Sequence, residues 1–368
     1  MLQNSTTLKF MQERESGCER CEILPQRYSG ELDLYLSAPV EGTRNTLWKI
    51  LERIGVAIED VDDMVLARPR PEQMQPMATW LIDGMGESER ADTRALVLLR
   101  DGVPKLKDFA HMQSLESLLT RISGDNVIDL LRNGRLITYV HPIVHCSEPE
   151  RVFAYECLTR GLEADGSLIS PDYLFDVARR ADLLFYLDRE SRVNAIRSSK
   201  SLAQPAKLFI NFNPATIYQP EYCLLTTMNA LNEYGLSKDD VVFEVVESDK
   251  VENSEHLISI LDYYRDQGFE VALDDLGAGY NSLTTLHRIR PNYVKLDMEL
   301  IRDVDRDGFK QAITRSIFAL AKELGIRTIA EGVERPEEHR WITEAGADYV
   351  QGFLFAKPLP VDEVALPA

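Results

Sequence analysis

Several things are missing from this sequence of 368 residues. No apolar run approaches the roughly 18–20 residues that a helix needs to cross a bilayer. No basic stretch followed by an apolar one opens the N-terminus, so no secretory leader is expected. Both absences point to a cytoplasmic protein without membrane insertion. Cysteine is scarce and odd in number, five in all. An odd count without a leader argues against a disulfide framework. Cys18 and Cys21 form a C-x-x-C, but no second pair follows to complete a zinc site. The pair reads as incidental, with redox or metal sensing as the alternative. Positive charge is short as well: the formal net charge is −19. With no local basic patch, the chain is not expected to track along duplex nucleic acid. A small anionic substrate survives that exclusion if a cation screens it, which favours a divalent metal over bare Lys and Arg.

What is present divides unevenly. Residues 1–25 are polar and patternless, a flexible arm. Residues 26–110 read as a small α/β domain, with strand patterns at Leu32–Leu36, Met64–Ala67 and Arg94–Leu99 and helical ones at Thr46–Ile54 and Glu72–Met85. No catalytic cluster appears there, so regulation or packing is its expected role. Residues 111–134 form an amphipathic helical linker carrying Leu115, Leu118, Leu119 and Ile122 at helical spacing.

From 135 to 368 the pattern becomes regular. Apolar, β-branched runs recur at 136–144, 152–160, 207–213, 241–247, 270–276, 293–297, 327–333 and 349–355. Helical patterns separate most of them, at 171–200, 220–235, 254–267, 310–324 and 336–345. Such alternation builds a parallel sheet, and this many strands suggest a closed (βα)8 barrel. The first two runs are too close for a crossover helix and should form an antiparallel hairpin. The expected fold class is therefore α/β: an irregular TIM-like barrel with an antiparallel first strand, plus the small N-terminal α/β domain.

Barrel chemistry sits where strands end. Here nearly every run carries a charged or amide group near that end: Glu156, Asn211, Glu244, Asp274-Asp275, Lys295, Glu331 and Gln351. Carboxylates inside apolar strands are costly unless paired or metal-bound. Strand parity turns Asn211 away from Leu208, Ile210 and Phe212. It also allows only one of Glu244 and Glu247 to face inward, and Glu244 lies deeper. Adjacent Asp274 and Asp275 diverge, which lets them serve two neighbouring metals. Carboxylates plus an amide oxygen suit Mg2+ or Mn2+. Two such ions about 3.5–4 Å apart support phosphoryl transfer.

The stretches Tyr155–Arg160, Asn211, Phe243–Ser248, Asp274–Tyr280, Lys295–Asp297, Ala330–Glu334 and Gln351–Phe355, taken in order, resemble the EAL family. Its members hydrolyse cyclic di-GMP to linear pGpG. The resemblance implies Glu156, Asn211, Glu244, Asp274 and Asp275 as ligands of two Mg2+ or Mn2+ ions, with Ca2+ inhibitory. It implies Glu331, Lys295 and Glu156 as catalytic residues. It further implies Arg160, Gln351, Leu158 and Asp297 on the substrate, and Glu247 as support for the loop 275–282. A homodimer through the barrel helices is implied too, with a signal or protein partner left to the N-terminal domain. Departures are Cys157 for alanine, Leu276 for phenylalanine and His141 for glutamine. None removes a ligand, so an enzyme is favoured over a silent cyclic di-GMP receptor or scaffold. The first 130 residues show no diguanylate-cyclase signature.

Overall fold

A computed structural model describes residue 28 and residues 30–163, 165–202, 204–217, 219–245, 254–277 and 283–364. The arm 1–25, the Cys18–Cys21 pair, Glu247 and residues 278–282 of the predicted loop lie outside them.

The first unit runs β1 (Leu32–Ser37), α1 (Glu41–Arg53), β2 (Ala57–Val61), β3 (Met64–Arg68), α2 (Met74–Gly84), α3 (Glu87–Asp92), β4 (Arg94–Leu99) and β5 (Gln113–Ser114). Its strands form one antiparallel sheet in the order β2-β3-β1-β4-β5. Alternation along β1 separates two faces. Leu32, Leu34 and Leu36 pack with Leu47 of α1 and Met77 and Leu81 of α2. Tyr35 joins Leu66 and Leu96 on the other face. Buried Asp33 meets Arg68 at 3.4 Å and Arg100 at 3.0 Å, which compensates its charge.

The amphipathic stretch after it is not one helix. Gly124 separates α4 (Leu115–Ser123) from α5 (Asp125–Arg132), and the two serve different cores. Leu115, Leu118, Leu119 and Ile122 complete the core of the first unit. Val127, Ile128, Leu130 and Leu131 pack with Leu136, Leu174 and Leu187 of the second.

The second unit continues with β6 (Leu136–His145), β7 (Val152–Leu162), β8 (Leu168–Ile169), α6 (Pro171–Arg180), α7 (Leu184–Ser198), β9 (Lys207–Phe212), α8 (Pro220–Tyr234) and β10 (Val241–Val245). Then come α9 (Ser254–Asp266), β11 (Glu270–Leu276), α10 (Leu283–Ile289), β12 (Tyr293–Leu296), α11 (Met298–Ile301) and α12 (Gly308–Leu324). It ends with β13 (Arg327–Ala330), α13 (Pro336–Ala345), β14 (Tyr349–Val350) and β15 (Leu359–Pro360). Strands β6-β14-β13-β12-β11-β10-β9-β7 close into a ring through the β6–β7 pairing. β6 runs antiparallel to both its neighbours, and every other pair in the ring is parallel. This is the irregular barrel expected from the short link between the first two runs.

Three runs differ from expectation, and the simplest case is 327–333, which is strand only over Arg327–Ala330. The pattern 171–200 is two helices, broken around Asp182, whose φ is +57°. The last run stays in the sheet only at Tyr349–Val350, because a tight turn follows in which Phe355 N–H donates to Gly352 O at 3.1 Å. Among the described residues, no helix is long and apolar enough to cross a membrane.

One layer of the barrel interior positions everything above it. Ile143, Ala154, Phe209, Val242, Ala272, Tyr293, Ile329 and Tyr349, one from each strand of the ring, form a buried apolar cluster. Phe153 and Tyr349 stack beside it with ring centroids 3.8 Å apart. This layer closes the barrel floor.

Candidate metal centre

Side chains repeat every second residue along a strand, so the next inward position lies two residues toward the mouth. Those positions are Glu156, Asn211, Glu244, Asp274, Lys295, Glu331 and Gln351, and His141 on the reversed strand β6. The whole ring above the apolar floor is polar. Register sets the neighbours: His141 opposes Glu156, Asn211 opposes Glu244, and Gln351 follows Val350, the partner of Ala330. Glycines hold two of these groups in place. A Cβ at Gly332, which has φ +66°, would sit 2.4 Å from Met298 Cβ. A Cβ at Gly352 would sit 2.1 Å from Val333 O. The chain just past Glu331 and Gln351 therefore packs at distances only glycine permits.

Lys295 stands at the centre. Its Nζ lies 2.7 Å from Glu331 Oε1, 2.8 Å from Glu244 Oε1, 3.1 Å from Asp274 Oδ1 and 3.3 Å from Glu156 Oε1. Burial works against the ammonium, but those four carboxylates outweigh it and hold its pKa well above the usual lysine range. One ammonium cannot balance them all. Burial drives Glu244 and Glu331 well above the usual carboxylate range, with Lys295 pulling the other way. Burial also raises Glu156, yet Lys295 and a 2.8 Å bond from Gln351 Nε2 to Oε2 outweigh it and leave that group below its usual value. Burial, then repulsion from Asp274, lifts Asp275 to about 6.

Two carboxylate triads emerge. Oxygens of Glu156, Glu244 and Asp274 lie within 4.8 Å of one another, as do those of Asp274, Asp275 and Glu331. Asp274 belongs to both. Glu244 is fully buried; its Oε1 meets Lys295, and its Oε2 has no hydrogen-bond partner among the described residues. Excess buried negative charge, oxygen donors and an orphaned carboxylate oxygen fit one or two hard divalent cations. A third acidic group, Asp303, Asp305 and Glu338, is already knit by Arg335 and reads as an ion-pair network.

The shared role of β11 has a specific cause. Its register with β12 shifts between Leu273 and Leu276, so Asp274 and Asp275 together oppose Lys295. Asp275 has φ +56°. Parity alone sends the two side chains to opposite faces; this bulge brings Asp275 back to the mouth beside Asp274.

The remaining predicted positions lie around this ring. Arg160, Leu158 and Asn211 line a cavity of about 340 Å3 beside it. Arg160 donates to Thr159 O at 2.9 Å and lies over the Tyr139 ring at 5.5 Å. Asp297 caps α11 through Glu299 N–H at 2.7 Å. Gln351 bonds Glu156 rather than standing apart from the carboxylates. Cys157 is buried on the outer face of β7, and burial, followed by Glu244 and Glu156, raises its thiol pKa so that it stays protonated. His141 is the ring member that the sequence reading did not assign. Its Nδ1 lies 4.0 Å from Glu156 Oε2, and its Nε2 lies 3.1 Å from Ala356 O. The predicted hairpin was the available signal, because it pairs His141 directly with Glu156.

The family model described as "EAL domain" matches residues 125–358. The Escherichia coli protein named cyclic di-GMP phosphodiesterase PdeR is 30% identical over 237 residues, covering 64% of this chain and 36% of that protein. The match thus spans about a third of the length of PdeR and of the Pseudomonas aeruginosa protein named cyclic di-GMP phosphodiesterase NbdA, at 36% and 30%. Among solved structures, a standalone versatile EAL protein from Vibrio cholerae O395, in its c-di-GMP-bound form, is 37% identical. It has a TM-score of 0.55 and covers 61% of this chain and 92% of its own. Klebsiella pneumoniae BlrP1, in a manganese/cyclic di-GMP complex, shares the fold at 24% identity and TM-score 0.56. That match covers 90% of this chain and 97% of that one.

Proposed function

The chain belongs to the EAL domain family, and on that premise we propose that it hydrolyses cyclic di-GMP to linear pGpG in a metal-dependent reaction. One observation carries the reading: two carboxylate triads share Asp274 at the barrel mouth with Lys295 between them. Glu156, Asn211, Glu244 and Asp274 would hold one Mg2+ or Mn2+, and Asp274 and Asp275, with Glu331 nearby, a second. Bound there, such ions supply Lewis acidity to a phosphodiester and make water more acidic. Glu331 orients the attacking water. Lys295 meets the charge that develops on the phosphate. Arg160 offers its planar donor fork to a phosphate oxygen at the cavity beside Asn211. Leu158 and Asp297 bound the substrate's path, and Gln351 fixes the Glu156 carboxylate.

The barrel works as a homodimer in this reading. Ile313 on α12, 47% exposed, lines an apolar groove with Leu276, Leu300 and Ile317, and Phe309 on the same helix is 85% exposed. The N-terminal unit takes the regulatory role and receives the signal or partner. The test is incubation of purified protein with cyclic di-GMP and Mg2+ or Mn2+, followed by chromatography for pGpG. Metal-dependent pGpG formation supports the reading. Tight binding with no product under either metal would overturn it in favour of a receptor.

A further inference from the structure

A buried ion pair behind β9 has no part in the chemistry above. Asp188 and Arg192, one turn apart on α7, are 3% and 1% exposed and are bonded to each other. Replacing such a pair with apolar groups is often neutral or stabilising, so stability alone gives a poor reason for it. Among the described residues its other hydrogen bonds and its ring contact fall on one stretch of chain, while Tyr264 and Cys223 also lie near the guanidinium. Asp188 Oδ1 accepts the backbone N–H of Asn213 at 3.1 Å. Its Oδ2 lies 3.2 Å from the Thr216 hydroxyl. The Arg192 guanidinium lies 5.9 Å from the Phe212 ring centroid. Phe212 and Asn213 directly follow Asn211, whose Cα pairs with Glu244. Asp188 also lines the cavity that Asn211 and Arg160 share.

We propose that Asp188, backed by Arg192, is a positioning residue for the metal centre: it clamps the chain leaving β9 and so fixes the Asn211 amide beside Glu244. The inference rests on the metal reading of the carboxylate ring and goes beyond it. Asn211 is the one uncharged ligand proposed there, at the last turn of its strand before the chain departs. A side chain so near a strand end keeps its direction only if the exit is held. Groups that orient a ligand without touching the metal typically matter about 10–100-fold in affinity.

The test is Mn2+ titration by calorimetry on substrate-free full-length protein. The double variant Asp188→Ala with Arg192→Met removes the clamp without orphaning a buried charge. Its Kd for Mn2+ is expected to rise about 10–100-fold. Asp188→Asn with Arg192→Met keeps an oxygen for Asn213 N–H and should recover most of that loss. In combination with Asn211→Ala, the clamp variant should cost little more than Asn211→Ala alone, because both act through one amide. A merely structural pair would lower the melting temperature and leave these affinities alone. Parent-like Mn2+ affinity, or a loss fully additive with that of Asn211→Ala, overturns the proposal. If circular dichroism shows the double variant unfolded, Thr216→Val is read instead: a raised Kd supports the clamp, and an unchanged one overturns it. A parent protein that takes up no Mn2+ overturns the metal reading itself, which separates the two failures.

Discussion

Replacing Lys295 with Met should convert the metal centre into a charge trap that only cations relieve. The ammonium is 1% exposed and touches four carboxylates at 2.7–3.3 Å. Removing one partner from a buried ion pair costs about 3–5 kcal/mol. For a domain of this size about 1 kcal/mol corresponds to roughly 2–4 °C, so the metal-free variant should melt about 10 °C below the parent. The carboxylates can answer by taking up protons, which limits the loss. The difference should therefore be smaller at pH 5.5 than at pH 8. Saturating Mn2+ should restore the variant by more than it raises the parent, since a ligand at about 100 times its Kd contributes about 2.7 kcal/mol even without relief of repulsion. Thermal unfolding followed by circular dichroism, in EDTA and in Mn2+, measures all three quantities. Equal melting temperatures for parent and variant in EDTA at pH 8 would refute the reasoning, because the ammonium would then not be compensating the ring.

Glu156→Gln should abolish pGpG formation and weaken Mn2+ binding, since it replaces a charged donor of the first triad; full turnover in that variant removes Glu156 from the ligand set. Calcium should inhibit, because it accepts the same oxygens but prefers looser geometry and longer distances; undiminished rates in calcium alone contradict this. The pH trend should depend on the metal. The Asp275 carboxyl, raised to about 6 by burial and by Asp274, binds its proton more tightly in the folded metal-free protein than in the unfolded chain, where about 3.9 is usual. Acidifying from pH 7 to 5 should therefore stabilise the metal-free state through this group. Over that window the linkage integrates to about one pH unit, roughly 1.4 kcal/mol, reduced below about 1 kcal/mol for a group this open to solvent. Metal uptake needs the ionised form and should strengthen over the same range in the opposite direction. An Asp275→Asn variant whose melting temperature in EDTA responds to pH as the parent's does would remove Asp275 as the cause.

Much of the barrel was legible because its strands announce themselves twice, by β-branched runs and by a polar group at each tip. The parity argument that separated Asn211 from Leu208, Ile210 and Phe212 needed only the period of two, and burial follows it: those three lie in the outer core, whereas Phe209 lies in the floor. Elements without such contrast were lost. Ala57–Val61 is an edge strand of mixed exposure carrying Glu59 and Asp60, so alternation gave no signal. The stretch 171–200 reads as one helical pattern in sequence, and the break shows in the structure, where Asp182 takes a positive φ between the two helices. In Met112–Asn133, a single amphipathic pattern concealed a change of packing partner at Gly124, because residue types do not say which core they face. His141 was noticed only as an oddity. Reading direction along β6 is reversed, so its inward position comes two residues before the floor residue rather than two after.

The bulge in β11 explains why one strand can supply two carboxylates to the same mouth. A regular strand presents one inward side chain for every two residues, so a ring of eight strands offers one donor each at a given level. Two triads sharing a ligand need an additional donor at that level. Inserting one residue opposite Lys295 provides it, at the expense of a left-handed φ at Asp275, a conformation that Asp tolerates better than most residues. Were β11 regular, Asp275 would turn outward toward the helices. The second triad would then fall to Asp274 and Glu331, too few carboxylates to hold a hard cation firmly. The pairing of two adjacent aspartates with a local loss of register is thus what gives the mouth a second acidic triad beside the first.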